Sequence, residues 1–449
     1  MRLSFVAFTV ATCHAWTQPA KLTARRASAR MQAATLSEDA KVPVTILTGF
    51  LGSGKTTLLN HILTRKHGKK LAIIENEFGD VGIDDALLKE NMKEYQDEEI
   101  IEMMNGCICC TVRQDLIVVL EKLQKRVMSG SLKLDGIVIE TTGMADPAPV
   151  AQTFFVDETV QQFCRLDGIV TLVDAKHIEQ HLDEEKPEGA ENESVEQVAF
   201  ADRLLVNKCD LVSEADLERV EARLKSINQF APITRSTQAA VDVDQVLDIK
   251  AFDLERTLEM DDAFLDTDSE HEHDASVTSL CITEPGELDL DRLDTWISTL
   301  LQERGTDIFR MKGILAIAWA EQKYVYQGVH MIFAGDFSEP WAEDEPRVSK
   351  LVFIGKNLDE AELRASFKEC LAPPDFRERK IASLRFAVGD KVECKMGPGE
   401  WTAGAVAKQL YFDEYNFRNI PAPYQVQLDD GTLIWAPEDD DTCIRALSA

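Results

Sequence analysis

The stretch G-F-L-G-S-G-K-T-T at residues 49–57 decides the fold of this chain. It matches the pattern G-x-x-x-x-G-K-[ST] in full, and the backbone N–H groups of such a loop surround nucleotide phosphates. A short apolar, β-branched run precedes it at residues 42–47, and residues 58–63 have the apolar spacing of a helix. This order of strand, glycine-rich loop and helix predicts a phosphate-binding loop in which Lys55 reaches the β- and γ-phosphates and Thr56 binds Mg²⁺.

Further apolar runs also end in polar residues. Residues 135–139 lead into E-T-T-G at residues 140–143, the place for an acid that contacts Mg²⁺ and a glycine that senses the γ-phosphate. Because Asp is commoner at this position, we expect Glu140 to contact the ion through water. Another run ends at Asp174, and residues 203–206 end at N-K-C-D. Strands that alternate with helices and carry motifs at their carboxyl ends predict an α/β fold with a mostly parallel sheet.

The N-K-C-D string at residues 207–210 indicates which base is bound. A carboxylate at Asp210 can accept hydrogen bonds from both N1–H and the N2 amino group of guanine. Adenine offers neither in that arrangement, so the charged acceptor would be left unpaired. Taken alone, the string could be a turn at the end of a strand. After a phosphate-binding loop it predicts guanine recognition.

Three of the ten cysteines lie within one tetrapeptide, C-I-C-C, at residues 107–110. Gly106 before them frees the backbone to turn. Thiolates form a soft donor set that suits Zn²⁺ or Cu(I) rather than Mg²⁺ or Ca²⁺. Closed zinc sites usually take four protein ligands, and the sequence has no second C-x-x-C pair, so an incomplete set suits a site that must release its metal. A redox dithiol and a buried structural cluster are the alternatives.

These strings occur in a fixed order: G-F-L-G-S-G-K-T-T, E-N-E-F-G-D-V-G-I-D, N-G-C-I-C-C, E-T-T-G-M-A-D-P and N-K-C-D. Together they closely resemble the CobW family of metal-insertion GTPases, and I-E-N-E-F-G and T-G-M-A-D-P are most similar to its YjiA-type branch. The resemblance covers about residues 42–372. It implies a P-loop GTPase domain followed by a small α/β C-terminal domain.

The motifs and the resemblance together assign roles to individual residues. GTP binding falls to the glycine-rich loop and the guanine motif, at Gly49, Gly52, Ser53, Gly54, Lys55, Thr56, Thr57, Asn207, Lys208 and Asp210. Catalysis falls to Lys55, Thr56, Glu140 and Gly143. Metal binding falls to Cys107, Cys109 and Cys110, with Glu75 and Asp80 as further carboxylate ligands in this branch. Asp80 is a shorter side chain than the Glu expected there.

The resemblance implies a GTP-hydrolysing metallochaperone that binds zinc at the C-x-C-C loop and transfers it to a client apo-metalloprotein. Residues 75–84 follow an apolar run at 71–74 and occupy the position of a nucleotide-sensing switch, so hydrolysis could change the metal affinity. No catalytic glutamine is evident, and we expect slow turnover that a client accelerates. The alternatives are a zinc-binding regulatory or storage GTPase, an accessory to cobalt insertion in cofactor synthesis, and a signalling GTPase with a structural cysteine loop.

Composition and charge limit the other classes of function. A length of 449 residues predicts two or three domains. No apolar run approaches the ~20 residues of a membrane-spanning helix. The net charge of -31 would repel nucleic-acid phosphates, so the sequence does not indicate a nucleic-acid partner.

The first 36 residues resemble a targeting segment. A short apolar stretch ends in C-H-A at residues 13–15, as in a signal peptide, and residues 16–36 are rich in Ala, Arg, Ser and Thr without an acid, as in transit peptides. This order predicts a plastid presequence of the two-part kind. A secretory signal, a mitochondrial presequence or a cytoplasmic protein are the alternatives.

The remaining segments divide by composition. Residues 41–240 are predicted to form the GTPase domain, with an exposed acidic loop at 179–196 and a surface pair of His177 and His181. Residues 241–274 form a predicted acidic linker in which His271 and His273 could collect metal, although a solvated linker is the simpler explanation.

Residues 275–372 are predicted to form the C-terminal domain of the family, facing the GTPase and serving contact with a client or with a second copy in a homo-oligomer. Its strands are expected at 278–283, 313–319, 329–334 and 350–354, and its helices at 288–304 and 359–370. After Pro373 and Pro374, short strands over residues 384–449 suggest an SH3-like β-barrel that binds a peptide or only assists folding.

Overall fold

The computed structural model describes residues 40–65, 67–75, 99–102, 111–184, 186, 192–251, 277–397, 399–413 and 417–447. Its first sheet has seven strands in the order β3-β2-β4-β1-β5-β6-β7, and every pairing between them is parallel. The predicted parallel sheet is therefore confirmed. The strands are β1 Val42–Thr48, β2 Leu71–Glu75, β3 Glu99–Glu102, β4 Gly136–Glu140, β5 Cys164–Asp174, β6 Arg203–Asn207 and β7 Ile233–Arg235.

Helices cover both faces of this sheet because its strands present apolar residues to both sides. Val44 and Ile46 of β1 belong to one core cluster with Leu116 of the second helix. Leu47, on the opposite face of β1, packs in another cluster with Leu58 of the first helix. The helices are α1 Lys55–Thr64, α2 Thr111–Met128, α3 Ala148–Val156, α4 Glu158–Phe163, α5 Ile178–Leu182, α6 Glu193–Phe200 and α7 Glu214–Ile227.

The prediction of an exposed loop over residues 179–196 is wrong at both ends of that range, where the structure has helices. Helix α5 begins at Ile178, and α6 begins at Glu193 with the buried side chains of Ser194 and Glu196 in its first turns. Asn192 caps α6, since its side-chain oxygen accepts hydrogen bonds from two N–H groups of the first turn. The acidic composition of this segment favoured a loop, although one face of α6 is apolar.

The predicted linker also begins too early. Val241, Val246, Leu247 and Ile249 are buried in the core cluster that covers the α1 face of the sheet. The fully buried carboxylate of Asp167 accepts hydrogen bonds from the backbone N–H groups of Ile249 and of the next residue, at 2.9 and 3.0 Å. Residues 241–251 therefore belong to the first domain. Residues 252–276, with His271 and His273, lie outside the described residues.

The second sheet has five strands, all antiparallel, in the order β11-β10-β9-β12-β8. Residues 329–334, predicted as one strand, instead span a hairpin: Val329 ends β10, residues 330–331 form the turn, and β11 starts at Ile332. The strands are β8 Val277–Pro285, β9 Ile308–Leu315, β10 Gln322–Val329, β11 Ile332–Pro340 and β12 Val348–Lys356, and the helices are α8 Leu290–Arg304 and α9 Glu360–Lys368.

A third, antiparallel sheet follows helix α10 Phe376–Ser383, which confirms a β-rich C-terminal region. Asn419 of this sheet exchanges two hydrogen bonds with Gln322 of the second domain, at 3.2 and 2.6 Å, and so fixes the two units against each other. The strand order is β16-β15-β14-β13-β17. The strands are β13 Lys391–Gly397, β14 Glu400–Asp413, β15 Phe417–Leu428, β16 Leu433–Ala436 and β17 Ile444–Ala446. Within the described ranges, no helix is long and apolar enough to cross a membrane.

The first two domains share a buried ionic contact. The carboxylate of Asp202, just after α6, binds the guanidinium of Arg310 and the ammonium of Lys312, both on β9. Arg310 also donates to the carbonyl oxygen of Phe200, and Lys312 donates to that of Ala251. Burial opposes ionisation, but the two positive charges hold the pKa of Asp202 below its usual range. The contact therefore stays charged at neutral pH.

We expect Arg310→Met to lower the free energy of unfolding by about 3–5 kcal/mol, because it leaves buried charge without its main partner. Arg219→Met is the matched control, since Arg219 pairs with Glu179 on the surface, where solvent screens the attraction. Urea unfolding of both variants measures the difference. Equal losses of stability would show that the buried contact contributes no more than an exposed ion pair.

Candidate functional site

The loop between β1 and α1 requires glycine at positions where another residue would collide. Gly49 has φ 141°, and a Cβ atom there would lie 2.3 Å from the carbonyl oxygen of Leu172. Gly54, at the N-cap of α1, has φ 110°, and its Cβ would lie 2.5 Å from Nδ2 of Asn207. The loop therefore packs tightly against β5 and against the start of the N-K-C-D motif.

Polar groups of this loop point to a phosphate ligand. The ammonium of Lys55 is buried and donates to the carbonyl oxygens of Gly49 (2.7 Å) and Phe50 (3.3 Å). Ser53 Oγ is buried and has no hydrogen-bond partner in the described part of the chain. A buried hydroxyl without a partner costs about 1–3 kcal/mol, which a bound anion would relieve. Thr56 is half-buried and Thr57 is exposed at the first turn of α1.

Asn207 connects the guanine motif to the phosphate-binding loop. Its Nδ2 donates to the carbonyl oxygen of Ser53 at 2.9 Å. Its Oδ1 accepts from the Ala239 N–H at 2.8 Å and from the Ser236 hydroxyl at 3.2 Å. Asp210 follows on a short 3-10 helix with its side chain exposed. Asn207 is thus a structural bridge, and Asp210 remains accessible to a base.

Asp174, at the end of β5, fixes Lys208 of the guanine motif. Lys208 has the left-handed φ of 63°, and its ammonium donates to the Asp174 carboxylate at 2.7 Å. His177 Nδ1 lies 3.0 Å from the same carboxylate. Burial acts against ionisation, but these hydrogen bonds hold the pKa of Asp174 below its usual range. Sequence analysis identified Asp174 only as the end of a strand.

His177 and His181, predicted as a surface pair, are both partly exposed, and each has a partner that the sequence did not indicate. His177 contacts Asp174, as described above, and the ring of His181 packs on Phe50 of the phosphate-binding loop with centroids 3.8 Å apart. Burial lowers the pKa of His181. His181 therefore contacts the phosphate-binding loop, whereas His177 contacts the carboxylate that anchors Lys208.

The E-T-T-G segment after β4 touches the same loop. Thr141 donates from its hydroxyl to that of Thr48 at 2.9 Å. A Cβ atom on Gly143 would lie 2.6 Å from the backbone nitrogen of Leu51, so only glycine allows this approach. Gln197 of α6 donates from Nε2 to the carbonyl oxygens of Gly143 and Ala145, each at 3.2 Å. No local signal in the sequence indicated Gln197, which is 54 residues from Gly143.

The metal motifs are placed only through their flanking strands. Cys107, Cys109, Cys110 and Asp80 lie outside the described residues. Glu75 ends β2, and its backbone is in register with that of Glu140 on one side and of Glu102 on the other. The chain therefore enters both metal-motif segments at the sheet edge that carries the phosphate-binding loop.

Two family models match the chain. Residues 43–235 match the nucleotide-binding domain of CobW/HypB/UreG, and residues 277–371 match the cobalamin synthesis protein cobW C-terminal domain. The zinc chaperone YjiA of Escherichia coli (strain K12) is 36% identical over 326 residues, which are 73% of this chain and 98% of that protein. The chain belongs to the CobW family.

Other members of the CobW family are similar over the same region. The zinc-regulated GTPase metalloprotein activator 1 of Schizosaccharomyces pombe is 35% identical over 357 residues, 71% of this chain and 83% of that protein. The crystal structure of the Zn(II)-bound YjiA GTPase from E. coli superposes with a TM-score of 0.57 and 31% identity, covering 74% of this chain and 99% of that one. The third sheet lies outside both matched family segments.

We expect Gly54→Ala to weaken nucleotide binding at least tenfold, because its Cβ would push Asn207 away from the loop. Gly130→Ala is the matched control: Gly130 also has a positive φ, 73°, but its Cβ would meet nothing within 4 Å. Titration with a fluorescent GDP analogue measures both. Equal affinities of the two variants would contradict the close packing of the loop against the guanine motif.

Asp174→Asn should also weaken binding of GDP and GTP, by about tenfold, because it removes the charged anchor of Lys208. Since the pKa of Asp174 is held low, the ratio of the wild-type affinity to that of Asp174→Asn should stay constant from pH 7 down to about 4, where an ordinary Asp carboxyl is about half protonated. Isothermal titration of both proteins across this range gives the ratio, in which the titration of the nucleotide itself cancels. A ratio that fell along an ordinary carboxyl titration would show that the folded protein does not hold the pKa of Asp174 low.

Proposed function

We propose that this protein is a GTP-hydrolysing metallochaperone that binds zinc at its C-x-C-C loop and transfers it to a client apo-metalloprotein in a nucleotide-dependent way. The observation that carries the proposal is the register of Glu75 with Glu140 at the edge that holds the phosphate-binding loop. The family relatives named as zinc chaperones and zinc-regulated GTPases support it. One sheet edge thus serves both the nucleotide and the segments that carry the thiols.

The nucleotide-binding residues act through charge and backbone donors. Lys55 would exchange its bonds to the loop carbonyls for the β- and γ-phosphate oxygens. The hydroxyl of Ser53 faces the loop, and Gly49, Gly52, Gly54 and Thr57 complete the cradle. Asp210 would pair with the guanine edge, while Asn207 and Lys208 hold the motif in place. These positions are our assignments for GTP.

Mg²⁺ would be held by the hydroxyl of Thr56 and, through water, by the carboxylate of Glu140, and it would neutralise charge on the transferring phosphate. Hydrolysis adds water to the γ-phosphorus and releases GDP and inorganic phosphate. Gly143 packs against the backbone of Leu51 in the loop that would hold the phosphates, so departure of the γ-phosphate would change the surroundings of this segment.

Zinc is the cargo, and Cys107, Cys109 and Cys110 are its proposed ligands, with Glu75 and Asp80 as further donors. Their segments begin directly after β2, which pairs with β4, and after β3, which pairs with β2. Movement of the E-T-T-G segment at the end of β4 would therefore act first on the segment that follows β2. A zinc-regulated or zinc-storing GTPase, or an accessory to cobalt insertion, would share this geometry. Transfer to a client and the preferred metal distinguish them.

Two assignments concern the ends of the chain. We propose that residues 1–36 direct the protein to a plastid, which a fusion of this segment to a fluorescent protein tests. We also propose that residues 384–447 form an SH3-like barrel around the buried side chains of Val392, Tyr424 and Ile444. The hydrogen bonds between Asn419 and Gln322 support a fixed position beside the second domain. The second domain is the proposed contact for a client or for a second copy.

We expect Cys109→Ala to lower zinc affinity by at least a hundredfold while GTP affinity stays within twofold, because a soft ligand is lost without a change in the phosphate loop. Cys281→Ala is the control, since Cys281 lies on β8 of the second domain. Competition with a chromogenic chelator measures zinc, and titration with GTP measures the nucleotide.

The same preparation tests delivery. Zinc-loaded wild-type protein should lose its metal to an apo-acceptor faster with GTP than with a non-hydrolysable GTP analogue. Identical transfer rates with GTP, with the analogue and with GDP would favour a zinc store or sensor over a chaperone. A higher affinity for Co²⁺ than for Zn²⁺ would favour the cobalt accessory.

A further inference from the structure

Two helices run from the Gly143 region to one hairpin of the second domain. Helix α3 begins at Ala148, directly after the E-T-T-G-M-A-D-P segment, and packs against β10 and β11. The side chain of Gln152 on α3 donates to the carbonyl oxygen of Val329 at 3.3 Å. Helix α6 reaches the next residue of the same hairpin, His330. The hairpin therefore contacts one helix that follows the E-T-T-G-M-A-D-P segment and another that hydrogen-bonds to that segment.

Gln197 joins α6 to the nucleotide end of this path. It is 1% exposed, and both of its amide contacts go to one segment, at Gly143 and Ala145. Its backbone oxygen accepts from the Thr171 hydroxyl of β5 at 2.8 Å. Gly143 in turn lies against the backbone of Leu51. The side chain of Gln197 is thus a direct connection between the segment that would sense the γ-phosphate and a helix of the domain interface.

Phe200 joins the other end of α6 to the second domain. Its ring packs on the rings of His330 and Phe309, with centroids 5.2 and 5.9 Å apart. Its carbonyl oxygen accepts from the guanidinium of Arg310. His330 has a left-handed φ of 52°, and its N–H donates to the Phe309 carbonyl at 2.9 Å. The turn of the hairpin is therefore held between β9 and the last residue of α6.

Hydrogen bonds from one side chain hold the end of α6 and restrain it from bending. Asn228, fully buried, donates from Nδ2 to the carbonyl oxygens of Val198, Ala199 and Ala201 at 2.9, 3.2 and 2.9 Å. Only two residues lie between Gln197 and Phe200. A displacement of the Gly143 carbonyl that moves Gln197 would therefore reach Phe200 within a single helical turn.

We propose that Gln197 is a positioning residue that couples the γ-phosphate site at Gly143 to the hairpin turn at Val329 and His330, with Gln152 as a parallel connection. The inference rests on the proposed GTPase function. It adds that the hairpin turn of the second domain is the place that responds to the bound nucleotide. The second domain then responds to hydrolysis through buried contacts of α6. Because coupling between two sites is reciprocal, a ligand bound at the hairpin would change the affinity for GTP by the same factor by which GTP changes the affinity for that ligand.

Hydrogen–deuterium exchange of the full chain tests the coupling. In the wild type, amides 328–334 should exchange at least threefold differently with a non-hydrolysable GTP analogue and Mg²⁺ than with GDP and Mg²⁺. Gln197→Leu keeps the volume of the side chain and removes its donors, so this difference should shrink to less than 1.5-fold. Gln162→Leu, at an exposed position of α4, is the matched control and should keep the full difference.

His330→Gly tests the receiving end without touching the nucleotide loop, and glycine tolerates the left-handed turn. It should reduce the nucleotide-dependent difference at the hairpin while kcat for GTP stays within twofold. Gln197→Leu, by contrast, should lower kcat more than it raises KM, because it releases the Gly143 segment. A purely structural role would change exchange equally with both nucleotides.

The outcomes separate this inference from the proposed function. If the wild type hydrolyses GTP and either its hairpin exchanges equally in both nucleotides or both variants keep the full difference, the coupling is overturned and the GTPase stands. If the wild type neither binds nor hydrolyses GTP, the proposed function fails, and the coupling fails with it. Loss of the difference in both variants with the control intact supports the coupling.

Discussion

Parallel hydrogen bonding of β2, β4, β1, β5 and β6 is the constraint on which the whole site depends. In a parallel sheet every strand ends at the same edge, so segments distant in sequence leave the sheet side by side. The phosphate-binding loop, the E-T-T-G segment, Asp174 and the N-K-C-D motif all start there. Their contacts with one another, such as Asn207 with Ser53 across the end of β5, then follow from the shared edge rather than from any long connection.

Packing between the domains decides how far a change at that edge can travel. Phe309, Val329 and Ile354 of the second domain lie in the same apolar cluster as Phe200 of the first. Close-packed interiors transmit small displacements because they leave no voids to absorb them. The charged contact of Asp202 with Arg310 and Lys312 fixes the orientation of the two domains at this interface. The two domains therefore behave as one body around α6, with a hydrogen-bonded nucleotide loop at one side.

The sequence predicted the elements whose signals are local. Apolar runs that end in polar motifs predicted β1, β4, β5 and β6, because buried parallel strands are apolar on both faces. It failed where burial depends on tertiary contacts. Residues 241–251 and α6 alternate apolar residues with acids and amides, and tertiary contacts such as Asp167 with Ile249 and Gln197 with Gly143 place them inside. Strand β10 was missed because Gln and Lys interrupt its apolar residues.

The strength of the α6 connection follows from its parts. Gln197 makes two neutral hydrogen bonds to one segment, and such bonds contribute about 0.5–1.5 kcal/mol each. The coupling free energy between nucleotide and hairpin therefore cannot much exceed about 1–3 kcal/mol, a factor of roughly 5 to 150 in affinity. A coupling of this size biases the second domain without locking it. A ligand that binds at the hairpin would, by the same reciprocity, change the GTP affinity by no more than this factor.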